Sequence, residues 1–167
     1  MTYTYYDERG FSMRYPHGWL RQNIGQALLF IVPQTAEDKD AFQENLSVLC
    51  QHLEAEQDLE SYTTRNMTQL INGYQLLSPP ILEDTKIADY AAKSLYCEIE
   101  TENTVLAIQQ WWVVINYIGI VLTYSATKDS FKVYQSEMFA LVNSFSLLSA
   151  PPPHLRPKEE NDLLILK

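Results

Sequence analysis

Three groups of side chains in this sequence have the types and spacing to do chemistry. Glu98, Glu100 and Glu102 alternate, so on a strand their carboxylates share one face while Leu95, Cys97 and Ile99 take the other. Carboxylates set out this way can exchange protons or collect a hard divalent cation, and they also make the wetted face of an antiparallel strand. Cys50 and His52 share a strand face and Cys97 falls on another strand, from which a small metal site can be drawn. The plainer account is a buried thiol and an edge histidine, because His17, His52 and His154 show no HExxH spacing and the cysteines no CxxC. The third group, Gln109, Gln110, Trp111 and Trp112, joins two amides to two indoles and suits binding rather than turnover.

Other catalytic signatures are missing from the chain. The five glycines, Gly10, Gly18, Gly25, Gly73 and Gly119, stand singly, so no glycine loop cradles a phosphate. No serine or threonine sits in a nucleophile-elbow sequence, and no histidine has an acidic orienter near it in sequence. The expectation is therefore no catalytic residue, no metal and no cofactor. The net charge of -9 excludes the clustered Lys and Arg on which nucleic-acid binding rests, and it disfavours anionic membrane surfaces.

Binding residues are sought among the aromatics. Tyr3, Tyr5, Tyr6, Phe11, Tyr15 and Trp19 crowd the N-terminus, and Trp111, Trp112, Tyr117 and Tyr124 recur later. Adjacent residues of a strand face opposite sides of its sheet, so one indole of the Trp111–Trp112 pair is core. The other lies either under a second layer or on an exposed apolar surface that would receive a partner. Gln109 and Gln110 split between the faces in the same way, and each amide needs a hydrogen-bond partner from the fold or from a bound segment.

Elements must hold these residues in place, and the 167-residue chain, 46% hydrophobic, has material for one packed domain and too little length for two. Strands are expected over 11–15, 27–32, 45–53, 93–102, 105–115 and 117–126, with a short one over 74–77. Asn116 or Gly119 marks the reversal between the last two long strands. Asp58 caps a helix with Glu60 in its first turn, closed by Asn72 and Gly73. Thr127 or Asp129 caps a second, whose stripe is Phe131, Tyr134, Met138, Leu141, Val142 and Phe145. Residues 1–148 thus form the domain, and 149–167 a proline-rich tail that ends in Leu163, Leu164, Ile165 and Leu166. That apolar run offers self-association by sheet-edge addition, or it frays.

The compartment expected is the cytoplasm. Two cysteines are too few for a secreted disulfide framework, and the N-terminus lacks a secretory pattern. The longest apolar stretch, 111–122, is too short to span a bilayer as a helix.

Four local sequences carry a resemblance to a known family. They are the run from Gly10 through Phe11, Met13, Tyr15, Pro16 and Gly18 to Trp19; Glu44-Asn45-Leu46-Ser47-Val48; Leu122-Thr123-Tyr124-Ser125-Ala126; and Asn143-Ser144-Phe145. In these, over about 7–147, the chain resembles the PsbP-like superfamily of the extrinsic photosystem II subunit, a Ran-binding import factor and bacterial DcrB-type proteins. The resemblance implies an α+β fold, an antiparallel sheet flanked by helices in an α/β/α sandwich, and action by binding other proteins. Asp89 departs from it, since relatives commonly carry Gly there, and the targeting segment of exported relatives is lacking.

The functional expectation is a non-catalytic protein-interaction or assembly accessory module whose partner is another protein. Its binding residues are Trp19, Gln109, Gln110, Trp111, Trp112, Tyr117 and Tyr124. One alternative, drawn from the related Eag group, is a chaperone of apolar or transmembrane segments of secretion effectors. It requires an uncovered sheet face and an exposed indole of the Trp111–Trp112 pair. The other alternative is a small-ligand carrier or enzyme with a pocket between sheet and helix, which requires a deep cavity with convergent polar groups.

Overall fold

The computed structural model describes residues 1–35 and 42–148. Strands β3 (Leu20–Ile24), β4 (Ala27–Ile31), β5 (Asn45–His52), β6 (Ile81–Ile87), β7 (Tyr90–Glu100), β8 (Val105–Ile115) and β9 (Ile118–Thr127) make one antiparallel sheet, ordered β3-β4-β5-β9-β8-β7-β6. A smaller antiparallel sheet joins β1 (Thr2–Asp7), β2 (Phe11–Pro16) and β10 (Ser146–Leu147) in the order β1-β2-β10. The helices are α1 (Leu59–Gly73) and α2 (Phe131–Asn143). This is the α+β class expected, with mostly antiparallel strands and two helices.

Period-two alternation divides the large sheet's side chains between two cores. On one face Leu28, Phe30, Leu46, Val48, Leu122 and Tyr124 meet Met138, Leu141 and Val142 of α2, with Phe11 and Met13 of the small sheet. On the other, Leu95, Cys97, Ile99, Ile108 and Trp112 meet Tyr62 and Leu70 of α1. Helix α1 begins at Asp58, whose carboxylate accepts from the Ser61 N–H at 2.7 Å, a side-chain cap on one orphan donor. That hydrogen bond holds the Asp58 carboxyl below its ordinary range.

Several expectations need correction. Helix α2 is preceded by Ser130, which makes no side-chain cap bond; Thr127 Oγ1 instead accepts from the Ser130 N–H at 3.3 Å, one residue before the helix. The reversal after β8 is at Asn116, which adopts φ 54°, a left-handed conformation asparagine tolerates. Gly119 is no turn residue: it lies within β9, where a Cβ would come 2.5 Å from the Tyr62 ring, so glycine there lets α1 seat its tyrosine on the sheet. Residues 74–77 contribute only an isolated bridge from Leu76 to Ile99. At the Asp89 departure, the residue with positive φ is Ala88, at 50°. Four unexpected strands, β1, β3, β6 and β10, lie at sheet edges.

Candidate functional site

The expected binding residues do not gather into one site. Tyr124 is fully buried, stacked on Phe131 at 4.6 Å, and donates its hydroxyl to the Phe131 carbonyl at 2.6 Å. It is a core residue. Trp19 is half-buried against the same core, and Tyr117 stands exposed in the β8–β9 turn. Trp111 is 6% exposed with its ring edge-to-face on Phe139 at 5.3 Å, and Trp112 is wholly buried in the α1 core. Neither indole is therefore a surface, and the exposed tryptophan required for an Eag-type chaperone is absent. The Trp112 Nε1–H and the Thr63 hydroxyl have no partner in that core.

Gln109 and Gln110 open into separate grooves on opposite faces of the sheet. On the α1 side, a groove of about 300 Å³ is lined by Ala27, Leu49, Gln51, Gln110 and Val121, with Asn66 and Leu70 of α1 as its wall. Tyr62 donates to Gln51 Oε1 at 2.8 Å, and Gln110 Nε2 donates to Thr123 Oγ1 at 3.1 Å, so both amides are positioned by the fold. The register sets Leu20 opposite Ile31, Gln22 opposite Leu29 and Ile24 opposite Ala27, extending this face to the sheet edge. Leu20 and Ile24 are each 54% exposed there. This half of the face is not readable from sequence, because three consecutive polar residues separate Leu20 from Ile24 and no apolar alternation marks the strand.

The α2-side groove lies between the helix and β6, β7 and β8. It has two lobes, of about 300 and 320 Å³, which share Glu83, Ser94, Gln109 and Gln135. Glu83 pairs with Ser94 and Ser94 with Trp111 across the strands, placing these three side chains in one row. Tyr96 and Phe131, rings edge-to-face at 5.4 Å, wall one lobe; Trp111 and Phe139 wall the other. Met138 and Phe145 fill the interior between α2 and the sheet but leave this groove open at its margin.

The remaining chemical candidates dissolve once placed. Cys50 and Cys97 lie on opposite faces with β9 and β8 between their strands, so they cannot pair. Burial pushes the Cys50 thiol up to about 12 and Cys97 to about 11, leaving both protonated and poor as nucleophiles or metal ligands near neutrality. Glu98 accepts from the Tyr96 hydroxyl at 3.1 Å and pairs with Lys128 at 3.1 Å, Glu100 is exposed, and Glu102 falls beyond the strand end. Among the described residues no three His, Cys, Asp or Glu side chains cluster as metal ligands, and no helix is long and apolar enough to cross a membrane. The tail run Leu163, Leu164, Ile165 and Leu166, with the self-association expected of it, lies outside the described residues.

No protein-family model matches the chain, and no curated protein matches it in sequence. Solved structures do match in fold. The solution structure of cyanobacterial PsbP (CyanoP) from Synechocystis sp. PCC 6803 aligns with TM-score 0.61 and 16% identity, over 87% of this chain and 92% of that one. LpqN, a protein involved in cell envelope biogenesis of Mycobacterium tuberculosis, aligns with TM-score 0.67 and 14% identity over 83% of each chain. PA94 from Pseudomonas aeruginosa, described as a putative regulator of unknown function, aligns with TM-score 0.59 and 14% identity over 90% of this chain and 99% of that one. At these identities the shared property is the fold, and the chain has the PsbP-like fold.

Proposed function

We propose that this PsbP-like chain is a non-catalytic accessory module that binds another protein through the part of its large sheet's α1-side face that no described helix covers. The observation that supports it is the exposed row Leu20 and Ile24, continuous with the groove over Ala27, Leu49 and Gln110. An antiparallel sheet commonly leaves one face wet and polar, whereas this half carries leucine, isoleucine and alanine beside a few amides. Contiguous apolar surface of that kind marks interaction sites. Its chemistry suits an apolar partner segment with a few backbone or side-chain groups for Gln51 and Gln110.

Leu29→Asp combined with Leu49→Asp tests this. Both side chains are half-buried on that face, so the double variant is expected to keep its circular dichroism and lose partner association in a co-purification from the native host. Co-purification unchanged in the variant, or turnover in a broad hydrolase screen that disappears with Ser94→Ala and Gln109→Ala, overturns the proposal.

A further inference from the structure

We infer that the groove between α2 and strands β6, β7 and β8 is a second binding site, built for an extended, uncharged peptide segment with an apolar side chain at each end. Its waist is formed by Glu83, Ser94, Gln109 and Gln135, contributed by four different elements. None of these four side chains makes a hydrogen bond or ion pair among the described residues. Ser94 is only 6% exposed, yet its hydroxyl is spent on no neighbour and borders both lobes. The hydroxyl is not among the buried unpartnered atoms and opens to solvent in the groove, where a ligand's donor or acceptor can take the place of water. Gln110, by contrast, has its amide engaged by Thr123 on the opposite face.

The shape selects among ligands. Along β6 the lining runs from Ile81 to Lys86, about 17 Å at roughly 3.3 Å per residue. Along α2 it runs from Phe131 to Asn143, about 18 Å at roughly 1.5 Å per residue. Two independent elements thus define one elongated trough, long enough for about five residues of extended chain. Two carboxamides and a hydroxyl each offer both a donor and an acceptor, which complements the alternating N–H and C=O of a peptide backbone. The aromatic pairs Tyr96–Phe131 and Trp111–Phe139 stand at opposite ends, where the ligand's terminal side chains would lie. Glu83 is offset by Lys132, which lines the same lobe, so the lining favours no net ligand charge.

The test titrates the ¹⁵N-labelled full-length chain with the blocked pentapeptide acetyl-Leu-Ser-Gly-Ser-Phe-amide, followed by NMR shifts. Saturable shifts confined to the neighbourhood of Ser94, Gln109 and Gln135 are expected. Gln109→Ala and Gln135→Ala should each weaken binding about tenfold, as for the loss of one well-placed hydrogen bond. Gln135 lies on a helix surface, so its variant keeps the test valid if Gln109→Ala perturbs folding. The same peptide with serine at both ends should not saturate. Absence of saturable shifts, shifts centred on Leu49 and Gln51, or maltotetraose saturating this groove where the peptide does not, each overturns the inference. Because Leu29 and Leu49 are on the other face, the double aspartate variant should bind the pentapeptide as wild type does, which separates this site from the proposed partner surface.

Discussion

The two faces of the seven-stranded sheet are covered by different means, and the difference locates the exposed apolar surface. One face carries α2 together with the three-stranded sheet, and its core holds Phe11, Met13 and Phe145 as well as the helix stripe. The other carries, among the described helices, α1 packed over β8 and β7, with Phe42 and Leu76 against the same core. A helix is about 10–12 Å across and strands lie about 4.8 Å apart, so a single helix covers roughly two strands. Helix α1 sits over β8 and β7 and its Tyr62 reaches Gly119 of β9 and Gln51 of β5, while Leu20 and Ile24 of β3 stay exposed beyond it. The apolar side chains left there follow from that geometry.

The substitution that breaks this comparison most strongly is Gly119→Ala. The added methyl would meet Tyr62 at 2.5 Å, and because Tyr62 is fully buried the ring must move and α1 with it. A loss of about 1–3 kcal/mol in urea unfolding is expected, typical of overpacking. The damage should stay on the α1 side: pentapeptide binding in the α2-side groove is retained while Gln51 loses its bond from Tyr62. Stability unchanged from wild type would show that α1 is not seated as described.

Alkali distinguishes the faces less severely, because each buries one thiol. Burial raises Cys97 on the α1 side to about 11, and Cys50 on the α2 side and Tyr62 each to about 12. Their folded-state values lie above those of the unfolded chain, so the folded form holds protons the unfolded form has released. The stability linked to these groups is intact below about pH 9, where unfolded thiols begin to ionise, and falls as pH rises through 11 and 12. Thermal melts from pH 8 to 11 should show the midpoint falling only above about 9, and both thiols should resist iodoacetamide at pH 8 in the folded chain. Rapid alkylation of Cys97 at that pH would mean that α1 opens.

The smallest expected effect is a gain. Ala88 holds φ 50° in the turn that joins β6 to β7, a conformation costly for any residue with a Cβ. Ala88→Gly should stabilise the chain by about 0.5–1 kcal/mol, after the added unfolded-state entropy offsets part of the relief. Because β6 lines only the α2-side groove, pentapeptide affinity should hold or rise, with the α1 side unaffected. A loss of stability would show that the alanine side chain makes a contact worth more than its strain.

Central elements were legible because burial on both faces leaves a pattern. Residues 105–115 read as a strand with the bounds observed for β8, and Asp58 declared the start of α1 through its carboxylate. Edge strands were not legible. β3 is exposed at every position and β6 at most of its own, so neither shows a buried stripe that periodicity could detect. The candidate residues divided similarly. Adjacency alone required Gln109 and Gln110, and Trp111 and Trp112, to take opposite faces, and they do.

What the sequence determined by itself is what local rules govern: an antiparallel α+β chain, its long central strands, the Asp58 cap, and the assignment of each central strand residue to one face or the other. The tertiary structure alone decided which of those faces are covered and by what. Coverage depends on how many strands one helix can span and on where the N-terminal hairpin docks, and neither is a property of any short stretch of chain. For the same reason Gly119, which looked like a turn, is a seat for Tyr62, and two adjacent glutamines line separate grooves, Gln110 with its amide bonded to Thr123.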